Sequence, residues 1–370
     1  MNSDSTQPRR VAVGMSGGVD SSVAAALMMR KGFEVIGLTM QIYDGSVVMP
    51  DEGRSGCFGP GESRDIAAAA AIAAKLGIPH HVIPLAREYN DTVLDYFRAE
   101  YLAGRTPNPC VVCNRTMKFG AMLDKALSRG IDFDFFATGH YVRVERDSPD
   151  EAVRLLRGVD PEKDQSYFLS QLSQQQLARL IFPLGTMHKQ QVRQLAAELG
   201  LPELLEKPES QDFIESDDYS VLFAEKPPQP GKIVDGTGRV LGQHRGIPYY
   251  TIGQRKGLGI GGAGQPLFVT AIDRQANTVI VGTREELYAD SMNVGNVKWI
   301  AGEAPGRQFK ADVKIRQQHT PAPAGIDLSD DGRAAVIFDE AQMSITPGQT
   351  AVFYRGEQVL GGGTIVKSRL

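Results

Sequence analysis

The sequence predicts an α/β protein in which a doubly wound parallel-sheet domain is followed by a small central β-rich domain and a C-terminal antiparallel β-barrel. Three observations predict it. Apolar strand-like runs alternate with helical patterns through the first half, as expected of parallel strands joined by crossover helices. A glycine- and serine-rich turn, Gly14–Ser22, falls between the first strand pattern and the first helix pattern. Beyond about Pro208, Gly and Pro become denser and the apolar runs shorten and alternate, the pattern of antiparallel strands joined by turns.

The elements follow in order. Val11 to Met15 reads as a buried strand, and Asp20 to Lys31 as a helix with Val23, Ala24, Leu27 and Met28 on its inner face. Glu34 to Met40 is a second strand, Ser63 to Leu76 an alanine-rich helix, and His80 to Pro84 a third strand. A helix over Asp91 to Ala103 leads into a turn-rich segment, Gly104 to Asn114, and Phe133 to Gly139 resumes the strand pattern. From about Gly231, alternating strands such as Lys232–Val234 and Thr278–Val281 dominate. Val313–Ile315, Ala334–Phe338 and Thr350–Tyr354 then form the small barrel. These changes place domains at 1–214, 215–283 and 284–370. In a doubly wound sheet, ligands sit at the carboxyl ends of the strands.

Bulk properties agree with a folded, multi-domain chain. The length of 370 residues exceeds one typical core. A hydrophobic content of 42% with 23% charged residues excludes the disordered and membrane classes. The net charge of -4 means that any RNA must be held by a local basic patch. The N-terminus lacks a secretory apolar region, and no run approaches the roughly 20 apolar residues of a membrane span, so a cytoplasmic location is expected. In that setting Cys57, Cys110 and Cys113 read as metal-binding or catalytic thiols rather than a structural disulfide.

The sharpest motif is Gly14-Met15-Ser16-Gly17-Gly18-Val19-Asp20-Ser21-Ser22. Adjacent glycines let the backbone bend around an anion, the amides point into the bend, and the helix start adds its positive end. The Gly-Lys-Ser/Thr ending of kinase-type loops is absent. Ser16, Ser21 and Ser22 offer hydroxyls to a pyrophosphate, and Asp20 is placed to bind Mg2+. The loop resembles the SGGxDS motif of the PP-loop, N-type ATP pyrophosphatases, whose members cleave ATP between the α and β phosphates.

Further motifs narrow the resemblance over nearly the whole chain. Gly104–Pro109, Cys113-Asn114, Lys118–Gly120, Ala137–Tyr141, Lys163–Leu169, Gly253–Gly259, Thr346–Gln349 and Gly361–Gly363 together are similar to the bacterial tRNA-specific 2-thiouridylases. The resemblance implies ATP-dependent adenylation of the C2 oxygen of the wobble uridine, followed by replacement of that oxygen by sulfur. It also implies that Met40 and Gly139 lie against the adenosine, that Asn108 and Pro109 lie near the target base, and that His140, Lys163, Asp164 and Gln165 lie on the tRNA. Arg316, Gln317 and Gln349 would touch the anticodon region.

One departure bears on the sulfur step. In the better-known branch an aspartate follows Pro-Asn-Pro, a catalytic cysteine lies three residues later, and a second, persulfide-carrying cysteine follows a Glu/Asp-Ser-Gln/Thr segment. Here the aspartate position is Cys110, the catalytic position is Cys113, and Glu209-Ser210-Gln211-Asp212-Phe213-Ile214 contains no cysteine. Three readings follow. Cys57, Cys110 and Cys113 hold a 4Fe-4S cluster whose fourth iron binds an exogenous sulfide, resembling the iron-sulfur-dependent tRNA thiolases. Alternatively Cys110 and Cys113 form a redox pair with a transient persulfide, or the thiols bind zinc. The sulfur donor is expected to be a cysteine desulfurase, a relay protein or free sulfide. Rival functions are another PP-loop ligase of the amidotransferase or argininosuccinate synthase type, or an idle tRNA-binding module.

Overall fold

The computed structural model describes residues 9–367 except 52, 54, 55, 149, 150, 202–211, 217 and 262–264. Glu209, Ser210 and Gln211 therefore lie outside the described residues. The chain forms two compact units, one of residues 1–90 with 113–216 and one of residues 91–112 with 217–370.

In the first unit the strands are β1 (Arg10–Gly14), β2 (Glu34–Gln41), β3 (Gly56–Phe58), β4 (His80–Pro84), β5 (Phe135–Ala137), β6 (Val142–Glu145), β7 (Arg154–Arg157), β8 (Leu180–Ile181) and β9 (Asp212–Ile214). Among the described residues the α-helices are α1 (Val19–Arg30), α2 (Glu62–Leu76), α3 (Ala86–Tyr89), α4 (Asp95–Leu102), α5 (Pro109–Cys113), α6 (Met122–Ser128), α7 (Gln174–Leu177) and α8 (Lys189–Glu198). The main sheet has the order β4-β2-β1-β5-β8, with every pairing parallel. Strand order reverses between β1 and β5, so the crevice outside their carboxyl ends is the switch point at which such sheets bind ligands. Val11 and Val13 of β1 are fully buried and join Val23, Ala24 and Met28 of α1 in the core.

Short elements depart from the sequence expectation. Cys57 lies on β3, which pairs parallel with β9, and not in an unpaired loop. Two three-residue strands far apart in sequence have no local periodicity to announce them. The turn-rich segment contains α5, because Asn108 accepts the Val111 N–H at 3.3 Å as a helix cap and Pro109 opens the helix. A π-helical stretch, Asn114–Ala121, continues from it.

The second unit contains β10 (Gly231–Asp235), β11 (Val240–His244), β12 (Phe268–Asp273), β13 (Thr278–Gly282), β14 (Tyr288–Trp299), β15 (Gln308–Lys314), β16 (Ala322–Leu328), β17 (Ala334–Met343), β18 (Thr350–Arg355) and β19 (Gln358–Lys367). The first four form a sheet in the order β11-β10-β13-β12. The last six pair in the order β14-β17-β16-β15-β18-β19, and β19 returns to β14, which closes the barrel and removes its free edges. Met292, Val294, Val313, Val336 and Phe353 fill it. Segment 91–112 belongs with these residues: Phe97 of α4 packs edge-on against Tyr219, with ring centroids 5.4 Å apart, and lies 6.5 Å from Phe223.

Candidate functional site

The site is built where β1 hands over to α1. Gly17 adopts a φ of 68°, and a Cβ there would stand 2.8 Å from the Asp65 carbonyl oxygen of α2, so the bend requires glycine. Gly18 precedes α1 in an extended conformation, with no side chain capping the helix. That end is therefore open to an anion. The serines divide the work differently from the sequence expectation. The Ser21 hydroxyl donates to the Gly18 carbonyl at 3.1 Å and accepts the Ser16 N–H at 3.2 Å. The Ser22 hydroxyl, fully buried, donates to the same carbonyl at 2.7 Å. Both brace the loop, while Ser16 is exposed. Met15 and Val19 are buried beneath it, and the Met15 carbonyl accepts the Thr39 hydroxyl at 2.7 Å.

The neighbouring strand brings its own end to the same place. Beyond β5, Gly139 abuts the first turn of α1: a Cβ there would lie 2.8 Å from the Asp20 carbonyl carbon. Met40 stands near the carboxyl end of β2, half-buried. Gly14, Met40 and Gly139 thus lie at the carboxyl ends of three adjacent strands.

Asp20 has partners that sequence reading missed. Lys189, at the start of α8, places its ammonium 2.8 Å from each Asp20 oxygen. The Tyr141 hydroxyl donates to Oδ1 at 2.8 Å. Lys189 lies 169 residues away, and an isolated lysine before an amphipathic helix carries no local sign of such a role. Asp20 by itself offers Mg2+ one carboxylate, which fits a cation that takes one or two carboxylates together with substrate phosphates.

His140 is half-buried, with Nδ1 2.7 Å from the Thr138 hydroxyl and its ring beside Phe119 and Phe182. Desolvation, with Lys118 nearby, holds its pKa well below the ordinary histidine value, so the ring is neutral. Asp164 is buried and accepts the N–H groups of Gly158 and Ser166, both at 3.1 Å. Gln165 accepts the Tyr141 N–H at 3.0 Å. These two side chains shape their loop from within. The Lys163 N–H donates to the Asp160 carbonyl. In the second unit, the Gln349 amide donates to the carbonyls of Thr106 and Pro107 at 3.1 and 2.9 Å, so it fixes the segment leading to Asn108 and Pro109. Arg316 donates to the Met343 carbonyl at 3.1 Å, and Gln317 follows it.

Cys110 and Cys113 lie one helical turn apart on α5. In the first unit Cys113 and Cys57 are near enough that the charge of Cys57 raises the Cys113 pKa. Desolvation is the larger cause and pushes that thiol up to about 12, against a lowering influence from Lys118. Cys57 is exposed as a residue although its sulfur is desolvated enough to raise its pKa too. The accessible surface decides its contact with reagents. Its loop is held by Glu215, whose carboxylate accepts the Gly61 N–H at 2.7 Å and whose own N–H donates to the Phe58 carbonyl at 3.1 Å. Among the described residues, no group of three or more His, Cys, Asp or Glu side chains is gathered to hold a metal ion.

The switch-point crevice, the uncapped α1 and the glycine bend define the class: a phosphate-binding α/β domain carried on one chain with β-modules. Three family models match in succession: the tRNA methyl transferase HUP domain over residues 9–215, the tRNA methyl transferase PRC-barrel domain over 220–283, and the aminomethyltransferase beta-barrel domain over 289–365. A tRNA-specific 2-thiouridylase MnmA of Magnetococcus marinus is 47% identical, covering 98% of this chain and 100% of that one. Those of Endomicrobium trichonymphae and Geotalea uraniireducens are 45% and 48% identical, each over 96% of this chain and over 99% and 95% of theirs. The chain belongs to the tRNA-specific 2-thiouridylase family.

Proposed function

We propose that the protein is a cytoplasmic, ATP-dependent tRNA sulfurtransferase that converts a wobble uridine to 2-thiouridine. The observation that carries the reading is the glycine bend at the open end of α1, set at the switch point of a chain that matches 2-thiouridylases from end to end. Among the described residues no helix is long and apolar enough to cross a membrane.

The chemistry begins with a poor leaving group. The C2 oxygen of uracil attacks the α phosphorus of MgATP, pyrophosphate departs, and the resulting adenylate ester makes C2 susceptible to sulfur. A sulfur nucleophile then adds at C2, and AMP leaves carrying the former C2 oxygen. The loop amides and the start of α1 favour the negative charge that accumulates on the phosphates. Met40 and Gly139 take the adenosine, and Asp20 takes Mg2+. Asn108 and Pro109 lie at the base. His140, Lys163–Gln165, Arg316, Gln317 and Gln349 serve the tRNA directly or by shaping the loops that do.

For the sulfur step the thiols of this chain offer a route that needs no cluster. A sulfane sulfur delivered by a donor to Cys110 or Cys57 attacks C2, and Cys113 then cleaves the sulfur–sulfur bond. That step releases 2-thiouridine and leaves a disulfide, which an external dithiol reduces. Proximity of Cys57 to Cys113 supports Cys57 as an alternative to Cys110. The domains divide as 1–214 for catalysis, 215–283 for a central tRNA-binding part, and 284–370 for the anticodon region.

The test supplies full-length protein with MgATP, unmodified tRNA and either a persulfide donor or sulfide, and measures pyrophosphate and 2-thiouridine. Both products are expected, and Cys113→Ala should abolish 2-thiouridine while leaving the pyrophosphate of the first turnover, because that thiol acts after adenylation. Pyrophosphate release without tRNA, or on an amino-acid substrate, would point to a small-molecule ligase. Iron and acid-labile sulfide bound in proportion to protein, and lost in Cys57→Ala, would return the cluster to the mechanism.

A further inference from the structure

Segment Gly14–Ser22 contains hydroxyls and one carboxylate but no Lys or Arg. A triphosphate entering it meets partial positive charge from amides and the helix start, yet also the full negative charge of Asp20. Lys189 brings a cation into hydrogen-bond contact with this loop, with Nζ 2.8 Å from both Asp20 oxygens. Its side chain is 12% exposed, against 30% for Asp20. The Tyr141 ring lies 5.9 Å from the ammonium. The Lys189 N–H donates to Asp160 at 2.9 Å, which anchors the start of α8. The lysine is thus held at the loop by its backbone as well as by its charge, so little conformational freedom remains to be lost when an anion arrives.

We infer that Lys189 is a phosphate-binding residue of the nucleotide site. Its ammonium moves from the Asp20 carboxylate to an oxygen of the bound triphosphate, which leaves Asp20 to hold the Mg2+ of MgATP. No covalent bond changes: one ammonium–carboxylate contact is exchanged for an ammonium–phosphate and a carboxylate–magnesium contact. The inference rests on the ATP-using reading and adds selection for the triphosphate over AMP, because the lysine acts on charge beyond the nucleoside.

Equilibrium binding of MgATP and of AMP to the full-length protein and its Lys189→Met and Lys189→Arg variants tests it. Loss of one charge-assisted hydrogen bond should weaken MgATP roughly 10–100-fold in Lys189→Met. AMP affinity should stay within about twofold, and Lys189→Arg should recover most of the MgATP affinity. Unchanged MgATP binding in Lys189→Met, or equal loss of MgATP and AMP, would overturn the assignment. Should Lys189→Met fail to fold, Lys189→Gln keeps a hydrogen bond to Asp20 without the positive charge and leaves the carboxylate intact. It is expected to fold and to bind MgATP weakly but AMP normally, and wild-type MgATP affinity in it overturns the inference. A wild-type protein that binds neither nucleotide would sink the ATP-using reading as well, whereas the outcomes above sink the lysine alone.

Discussion

Cys57 and Cys113 present one type of side chain in two environments. Desolvation raises the pKa of both thiols, Cys113 up to about 12, but Cys57 is the exposed one, on β3. Because the thiolate is the nucleophile, iodoacetamide at neutral pH should modify Cys57 before Cys113, as peptide mass mapping would record. Raising the pH should continue to accelerate Cys113 alkylation beyond pH 9, where an ordinary thiol levels off; a plateau there would show that its pKa is not raised. The glycine bend of the loop was legible in sequence because it carries its geometry locally. Lys189 was not, because its meaning depends on where α8 docks.

At the scale of elements, α2 is tied to the end of β2 by Glu62, whose carboxylate accepts the N–H groups of Ile42 at 2.6 Å and Tyr43 at 2.9 Å. Burial, opposed by those two hydrogen bonds, pushes its pKa up to about 7. The folded state therefore binds this proton more tightly than the unfolded chain. The resulting stability is full below the ordinary value of 4.5 and is lost as pH rises through about 7. The melting temperature of wild type relative to Glu62→Gln should consequently fall between about pH 5 and pH 8, measured by calorimetry; a flat difference would refute the shift. The same helix also backs the phosphate loop, through Asp65, Ala68 and Ala69. Gly17→Ala should cost on the order of 1–3 kcal/mol of stability from backbone strain and reduce pyrophosphate release at least tenfold, because the loop must move away from Asp65. The long strands and α1 followed their periodicity closely, whereas β3, β9 and the π-helical stretch 114–121 did not. Three residues carry too little pattern, and a π-helix differs from an α-helix by one hydrogen-bond offset that side-chain type does not encode.

At the scale of the molecule, the composition shift near Pro208 announced the passage from α/β to all-β, and the turn-separated strands announced a barrel. The membership of residues 91–112 in the second unit was hidden, because it is set by contacts with Tyr219, Thr251 and Gln349. A chain cut after residue 214 should accordingly leave Phe97 without Tyr219 and Phe223. It is expected to bind a hydrophobic dye and to melt several degrees below the intact protein; a truncated chain with wild-type stability and no dye binding would refute this.

The same arrangement sets a timetable for synthesis. Thr106 leaves the ribosome 243 residues before the glutamine that fastens it. At about 5–20 residues per second, that wait lasts roughly 12–50 s. For this interval the growing polypeptide must leave the Thr106 and Pro107 carbonyls unclaimed by Gln349 while the residues that follow are already committing to another unit. The contact that fastens this early segment therefore forms only when the barrel is nearly complete.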